Sequence, residues 1–355
     1  MRKTTALGTG VLGVILLALP SCSTADPQVR TSVAASGSAV SGKINIACGA
    51  QEDWCQAMTK AFETRTGVRT TFVRLSSGEA LARLGAVGKN TEFDVWHGGP
   101  SDGYIAADKS GLLERYTPKD SAAIDARYKD PNGAWTGVYV GVLGFCSNRK
   151  VLAAKNITPP DSWEDLVDPK LRGLVAVAHP ATSGTAYTAL WTQVKLRSGE
   201  DNALAYFRKL HPNVLQYSKS GSAPAQQAGR GEIATGVVFT HDCVKNQEEG
   251  LTDLVVTVPN EGTGYEIGGV AMVKGTRNTP AAQAYLDFAV SAEAQNLAAG
   301  VKAYQLPTNP KATVSSKSIK ISDVKLVDYD AAAAGDAKRK LVGRFETDVA
   351  GAPKG

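Results

Sequence analysis

From residue 43 onward, short runs of β-branched and apolar residues alternate with longer stretches whose apolar positions recur every three or four residues. The first pattern belongs to buried strands and the second to amphipathic helices, so the alternation predicts an α/β fold. Residues 43–48 read as a strand, 53–66 as a helix closing on Gly67, 68–75 as a second strand and 79–87 as a second helix. Residues 93–96 form a buried strand ending in His97-Gly98-Gly99-Pro100. A second series starts near Gly141, with a strand over 142–146, a helix opened by Trp163-Glu164-Asp165-Leu166 and a strand over 174–177. Helices follow from Ala186, over 202–210 and toward Gly229. Residues 235–240 are a further strand ending at His241-Asp242, 269–273 another, and 280–299 a single helix, while the Ala-rich 331–340 reads as a surface helix.

The loops that follow these strands are made of small polar residues, notably Ser76-Ser77-Gly78, Ser183-Gly184-Thr185 and Ser220-Gly221-Ser222. In open α/β sheets ligands bind beyond the carboxyl ends of the strands, where helix N-termini offer unpaired N–H groups. Each loop alone is an ordinary helix cap; three in one cleft make an anion site the better expectation. Arg74, Lys219 and Arg230 lie near these loops, and a solvated surface role is expected for each. His241 and Asp242 should emerge at the same cleft. The chain is expected to cross between two sheets near 137–141 and to return near 264–269, both Gly-rich, as hinge segments often are.

The N-terminus decides the compartment. Arg2 and Lys3 precede an apolar run over 6–19, the pattern of a removable secretory signal and too short to span a membrane comfortably. Leu19-Pro20-Ser21-Cys22 resembles the bacterial lipobox, whose cysteine is lipidated, and the Ser-, Ala-, Thr- and Gly-rich 23–42 reads as a flexible tether. The expected product is an extracytoplasmic body anchored to the cell membrane through Cys22. Four cysteines then remain, Cys48, Cys55, Cys146 and Cys243, an even number in an oxidising compartment. They allow three connectivities, of which Cys48–Cys55 with Cys146–Cys243 is the expected one. About 310 residues after the tether suffice for two domains with full cores. The formal charge of +5 is modest and includes the basic residues of the signal, so no nucleic-acid partner is expected. A monomer without cofactor is.

The collinear order of several segments carries a family resemblance. Asp94-Val95-Trp96-His97-Gly98-Gly99, Gly111-Leu112-Leu113-Glu114, Thr182-Ser183-Gly184-Thr185-Ala186-Tyr187, Gly231-Glu232-Ile233 and Tyr304-Gln305-Leu306-Pro307-Thr308-Asn309-Pro310 resemble the ferric-ion-binding branch of type II periplasmic binding proteins. The resemblance implies a two-lobed α/β receptor with hinge crossovers that closes on a small solute. Its partners would be the permease and ATPase subunits of an ATP-driven importer. The lobes are expected at 43–137 with 269–300, and at 138–268 with 301–355. True iron binders of that branch use adjacent tyrosines where this chain has Thr240-His241-Asp242, and the first loop, which carries a histidine in some of them, reads Gly49-Ala50-Gln51-Glu52. The chain is more similar to relatives that bind phosphorylated sugars, with a His-Asp pair at that place and a glutamate from the Gly-Thr-Gly-Tyr-Glu stretch, here Glu261 or Glu266. The candidate ligand set is Glu52, Ser76, Ser77, Ser183, Gly184, Thr185, Ser220, Gly221, His241, Asp242 and Glu266, with no metal site. Tyr187, Tyr265 and Tyr304 are the phenols an iron reading would need, and Trp54, Trp96 and Tyr265 are the aromatic rings a sugar face could stack on.

Hydrolysis is the competing class. His241, Asp242 and a serine could be imagined as a triad, but no Gly-x-Ser-x-Gly elbow occurs, and the four histidines include no His-x-x-x-His pair for zinc. The expected role is binding, not catalysis.

Overall fold

The structure, a computed structural model, describes residues 40–87 and 90–353. The signal, Cys22 and residues 23–39 of the expected tether lie outside that range. In chain order the elements are β1 (Lys43–Cys48), α1 (Glu52–Thr66), β2 (Arg69–Arg74), α2 (Ser77–Val87), β3 (Val95–Pro100), α3 (Ser101–Lys109) and β4 (Leu113–Glu114). β5 (Thr136–Asn148), α4 (Arg149–Ala153), β6 (Val175–Ala178), α5 (Gly184–Leu196), α6 (Glu200–Leu210), β7 (Val214–Ser218), α7 (Ala223–Gly229), β8 (Thr235–Phe239) and α8 (Thr240–Glu248) follow. The last are β9 (Leu254–Thr257), β10 (Tyr265–Val273), α9 (Thr279–Ala289), α10 (Ala292–Gly300), β11 (Leu306–Pro307) and α11 (Ala331–Asp348).

The main strand order is β2-β1-β3-β10-β5-β8-β6-β7. β1 pairs in parallel with β2 and β3, and β6 with β7 and β8. β5 joins these two halves. Thr136 to Val142 pair with β10, while Leu143 to Asn148 pair with β8 and β9. Successive side chains of a strand point to opposite faces, and each half accordingly has two apolar layers under its helices. In the first half Val95 and Val270 sit with Phe62 and Tyr285, and Trp96 and Ala271 with Tyr104. In the second, Phe145 packs with Trp163, Tyr187 and Phe207, while Cys146 packs with Ala228, Val238 and Cys243. Helices on both faces of mixed parallel and antiparallel strands, repeated in two lobes, are the α/β fold the alternation predicted. Both disulfides are formed as expected, Cys48–Cys55 and Cys146–Cys243.

Several boundaries differ from the sequence reading. The expected Gly-rich crossings lie within β5 and β10, where their glycines serve close packing: a Cβ on Gly268 would lie 2.0 Å from the Tyr139 ring. The expected helix over 280–299 is two helices, broken where Ser291 caps the second by accepting from the Ala294 amide. Residues 164–167 form only a 3-10 turn. Residues 306–307, placed with the second lobe, pair instead with Val140 and Tyr139 on the first half, and Thr308 donates to the Gly137 carbonyl. Among the described residues no helix is long and apolar enough to cross a membrane.

The Ala-rich segment is not a surface helix. α11 buries Ala334, Gly335, Lys338, Leu341 and Phe345, and its apolar side joins the core of the second half. Its other side meets α3 of the first half, where Gly335 lets the two helices approach; a Cβ there would sit 2.8 Å from Ile105. At this contact Lys338 donates to Asp102 at 2.5 Å, both side chains almost fully buried, and its ammonium lies 3.8 Å from the centre of the Tyr187 ring. Burial raises the Asp102 carboxyl pKa, opposed by Lys338. Removing one member of a buried pair strands the other and costs about 3–5 kcal/mol. Lys338→Met should therefore lower unfolding stability by that order in urea titrations at neutral pH, and adding Asp102→Leu should recover most of it; a single variant as stable as the parent contradicts the role of the pair.

Candidate functional site

Six parallel strands end at one place. β1, β2 and β3 deliver Gln51, Arg74 with Ser76 and Ser77, and Gly99 with Pro100; β6, β7 and β8 deliver Ser183 to Thr185, Gly221 with Ser222, and His241 with Asp242. The crossing strands add Tyr139 and Glu266, and the segment before β11 adds Gln305. Together these line a cavity of about 50 Å³ closed between the lobes. A wider vestibule of about 650 Å³ adjoins it through the shared residues Gln51, Arg74, Ser76, Ser222 and Asp242. The inner space takes a few water-sized groups. Direct interlobe bonds hold the closed arrangement: Gly78 N–H to Thr182 O at 2.9 Å, Gln51 Nε2 to Asp242 Oδ1 at 2.7 Å, and an ion pair of Lys245 with Asp53.

The three serine loops expected to converge do so. Ser77, Ser183 and Thr185 place their hydroxyls near the Cα atoms of Gly99, Gly184 and Gly221, close enough that a Cβ on any of these glycines would collide. Ser183 also does what an ordinary cap does, accepting from the Ala186 amide at 3.3 Å. Arg74 is the correction in this region. Its side chain faces the cavity and vestibule and not bulk solvent, and it forms no salt bridge among the described residues. Burial lowers its pKa, countered mainly by Asp242; a guanidinium stays charged regardless. Arg230 is exposed and paired with Glu232, and Lys219 sits at the vestibule.

His241 and Asp242 belong to the first turn of α8, one step beyond the strand end expected for them. Cys146–Cys243 ties this turn to β5. Gly141 makes the room: a Cβ there would lie 2.9 Å from both Glu266 Oε1 and His241 Cε1. His241 Nε2 stands 3.9 Å from Asp242 Oδ1 and 3.9 Å from Glu266 Oε1. Burial lowers the His241 pKa, opposed by Asp242, so the ring is neutral at physiological pH. Burial, with the nearby Asp242 and Asp102 charges, raises the Glu266 pKa well above the ordinary carboxylate range.

Of the expected ligand set, Ser76, Ser77, Ser183, Gly184, Thr185, Gly221, His241, Asp242 and Glu266 share the inner cavity. Glu52 and Ser220 do not; both line only the vestibule. The extended Gln51 turns its own side chain inward and leaves Glu52 on the first turn of α1, while Ser220 is spent on Ser222 Oγ at 3.1 Å. Glu261 is taken by the Trp163 amide and the Ser162 hydroxyl, which leaves Glu266 as the glutamate of that stretch in the cavity. Trp54 and Trp96 are core, and Tyr265 packs against Tyr329. Of the three phenols an iron site would need, Tyr187 donates to Ala334 O, Tyr304 lies beside Lys317 and Tyr265 beside Tyr329, so none lines the cavity. Gln51, Arg74, Tyr139, Phe239 and Gln305 were missed as site residues. Position at a strand end could have found Gln51 and Arg74, whereas Tyr139 and Gln305 carried no signal of their own.

A closed interlobe cleft at the carboxyl ends of two sets of strands defines a two-lobed solute receptor. Residues 102–334 match the family described as bacterial extracellular solute-binding protein, and the chain belongs to it. It is a binding protein of ATP-driven import that works outside the cytoplasm and is not an enzyme. Among solved structures it is similar to the periplasmic binding protein AfuA from Actinobacillus pleuropneumoniae with exogenous fructose-6-phosphate bound. The two share 40% identity, with a TM-score of 0.84, over 87% of this chain and 98% of that one. An uncharacterized protein of Haemophilus influenzae is 40% identical over 85% of this chain and 90% of its own length. The ferric binding protein from Campylobacter jejuni shares the fold, with a TM-score of 0.71 at 21% identity over 86% of this chain and 98% of that one.

The raised Glu266 pKa has a testable consequence. The folded state holds this proton more tightly than the unfolded state, so the site's contribution to stability is full below the ordinary carboxylate pKa of 4.5 and falls as pH rises above it. Glu266→Gln, a neutral isostere, should melt higher than the parent at about pH 8 and show little difference at about pH 4. A melting difference that stays constant across that range contradicts a perturbed Glu266.

Proposed function

We propose that the chain is a lipoprotein receptor that captures a small phosphorylated solute, a hexose phosphate or similar organophosphate, in the interlobe cleft and presents it to an importer permease. The observation that carries this reading is the composition of one cavity, lined by a guanidinium without a salt-bridge partner among the described residues, three hydroxyls, a neutral histidine and two carboxyl groups. Arg74 with Ser77, Ser183 and Thr185 suits a phosphate, since a guanidinium and hydroxyls donate to its oxygens. His241, Asp242 and Glu266 suit ring hydroxyls, because a carboxylate accepts from vicinal OH groups and a histidine donates or accepts by tautomer. The similarity to AfuA, whose structure holds fructose-6-phosphate, supports the same solute class here. Anchoring through Cys22 rests on Leu19-Pro20-Ser21-Cys22; Cys22→Ala should move the protein from the membrane to the soluble fraction.

The second reading is ferric iron, after the shared fold of the ferric binding proteins. Tyr139 is the one cavity tyrosine among the described residues, and burial raises its pKa well above the ordinary value, which disfavours a phenolate ligand, while the N–H that Gly99 donates to its oxygen at 2.9 Å acts the other way. Among the described residues no group of three or more His, Cys, Asp and Glu is placed to hold a metal ion.

Calorimetry with a hexose phosphate, the unphosphorylated sugar, inorganic phosphate and ferric citrate separates the two. Tight binding of the hexose phosphate is expected, and Asp242→Ala should weaken it by roughly 1.5–3 kcal/mol, about ten- to a hundredfold, while inorganic phosphate binding barely changes. Coloured, tight iron binding with no response to the sugar phosphate would make the iron reading correct.

A further inference from the structure

Gln305 adds an unpaired amide to the part of the cavity that holds His241 and Glu266. Arg74, Ser77, Ser183 and Thr185 supply donors to the same cavity. Three further polar atoms of the site are buried without a partner among the described residues: the acceptors Gln51 Oε1 and Gln305 Oε1, and His241 Nδ1, which donates or accepts by tautomer. The Gln51 amide is oriented unambiguously, because its Nε2 must face the acceptor-only Asp242 carboxylate at 2.7 Å, which leaves Oε1 directed elsewhere.

Gln305 is held in place by the strand that follows it. Leu306 pairs with Val140, so Gln305 lies level with Gly141, the residue whose missing side chain makes room for His241 and Glu266. β10 pairs with β5 at the same level, Glu266 opposite Gly141. Behind β11 a buried network fixes the segment: Gln295 Nε2 donates to Thr308 Oγ1, Thr308 Oγ1 to Gly137 O, and Asn309 N to Gln295 Oε1. Gln305 is 7% exposed, lines the cavity, and its amide forms no hydrogen bond with the described residues.

We propose that Gln305, together with Gln51, is a specificity-determining residue that selects phosphorylated solutes bearing several hydroxyl groups. Buried acceptors left without donors oppose binding. The inorganic phosphate dianion carries one donor, its P–OH, and cannot satisfy them all, whereas a polyol or sugar carries one per hydroxyl. The two amides therefore penalise bare anions and reward the hydroxylated ester, a discrimination built from unpaired polar groups in the site itself. This inference rests on the organophosphate reading above and names the part of the solute that reading leaves open.

The test is a titration cycle on the intact mature protein with glucose 6-phosphate and fructose 6-phosphate, singly deoxygenated analogues of each, and inorganic phosphate. Gln305→Met, close in shape but with only a weak acceptor, should bind the better hexose phosphate about ten- to a hundredfold more weakly and inorganic phosphate within about threefold of the parent. One deoxy analogue should lose a similar factor against the parent and no more against the variant, which identifies the hydroxyl that Gln305 receives. A parent that ignores both hexose phosphates overturns the organophosphate reading and this inference with it. A parent that binds them, with a variant that binds equally well or loses hexose phosphate and inorganic phosphate in the same proportion, overturns the role of Gln305 alone. Unchanged melting of the variant excludes misfolding, and Gln51→Met supplies the same comparison at the partner amide.

Discussion

The antiparallel pairing of β5 with β10, from Tyr265 opposite Val142 to Val270 opposite Thr136, binds two separate cores into one receptor and fills the middle of its cleft with a fixed floor. Every residue of β5 is buried, so neither strand can be displaced without exposing apolar surface on both halves. The glycines along this seam are there for space. Gly268 admits the Tyr139 ring, and Gly141 admits His241 and Glu266, so two lobes meet at side chains and not at backbone bulk. Opening and closing must twist this pair while leaving the pairing intact, which fits a hinge in which a few residues absorb the backbone change.

The same seam explains the electrostatics. Residues on a buried floor are cut off from water, and the charged form of each pays for it: Glu266 is driven toward its neutral acid and His241 toward its neutral ring. Arg74 stays cationic because a guanidinium cannot release its proton at physiological pH. The cavity thus combines the fixed positive charge of Arg74 with the uncharged forms toward which burial drives His241 and Glu266.

α11 adds a second connection between the halves. It is fastened to the second core by Leu341 and Phe345 and to α3 by Lys338, Asp102 and the exposed Lys109–Asp336 pair. A buried charge pair tolerates little misplacement, since each partner is stranded if the other moves away. The lobes are therefore coupled at two places, the β5–β10 seam and the α3–α11 contact.

Much of this was legible in the residue order. Alternating strand and helix periods predicted the fold class, because burial on both faces of a parallel strand leaves a continuous apolar run and a helix leaves a stripe. Strand-end loops rich in serine and glycine marked Ser77, Ser183, Thr185 and Gly221 for the cleft, since that is where chain direction must reverse and helix N-termini open. The even cysteine count foretold two disulfides. What the sequence could not decide was direction. Whether Gln51 or Glu52 faces inward depends on where α1 begins, within one residue; whether Arg74 meets solvent or solute depends on the lobe above it; and Gln305 enters the site only because β11 pairs across 166 positions of chain with Val140. The Ala-rich helix looked like surface because its small residues carry no strong apolar stripe, yet small residues are what allow α11 to lie against α3. Local pattern sets what each segment can become, and long-range packing sets what it touches.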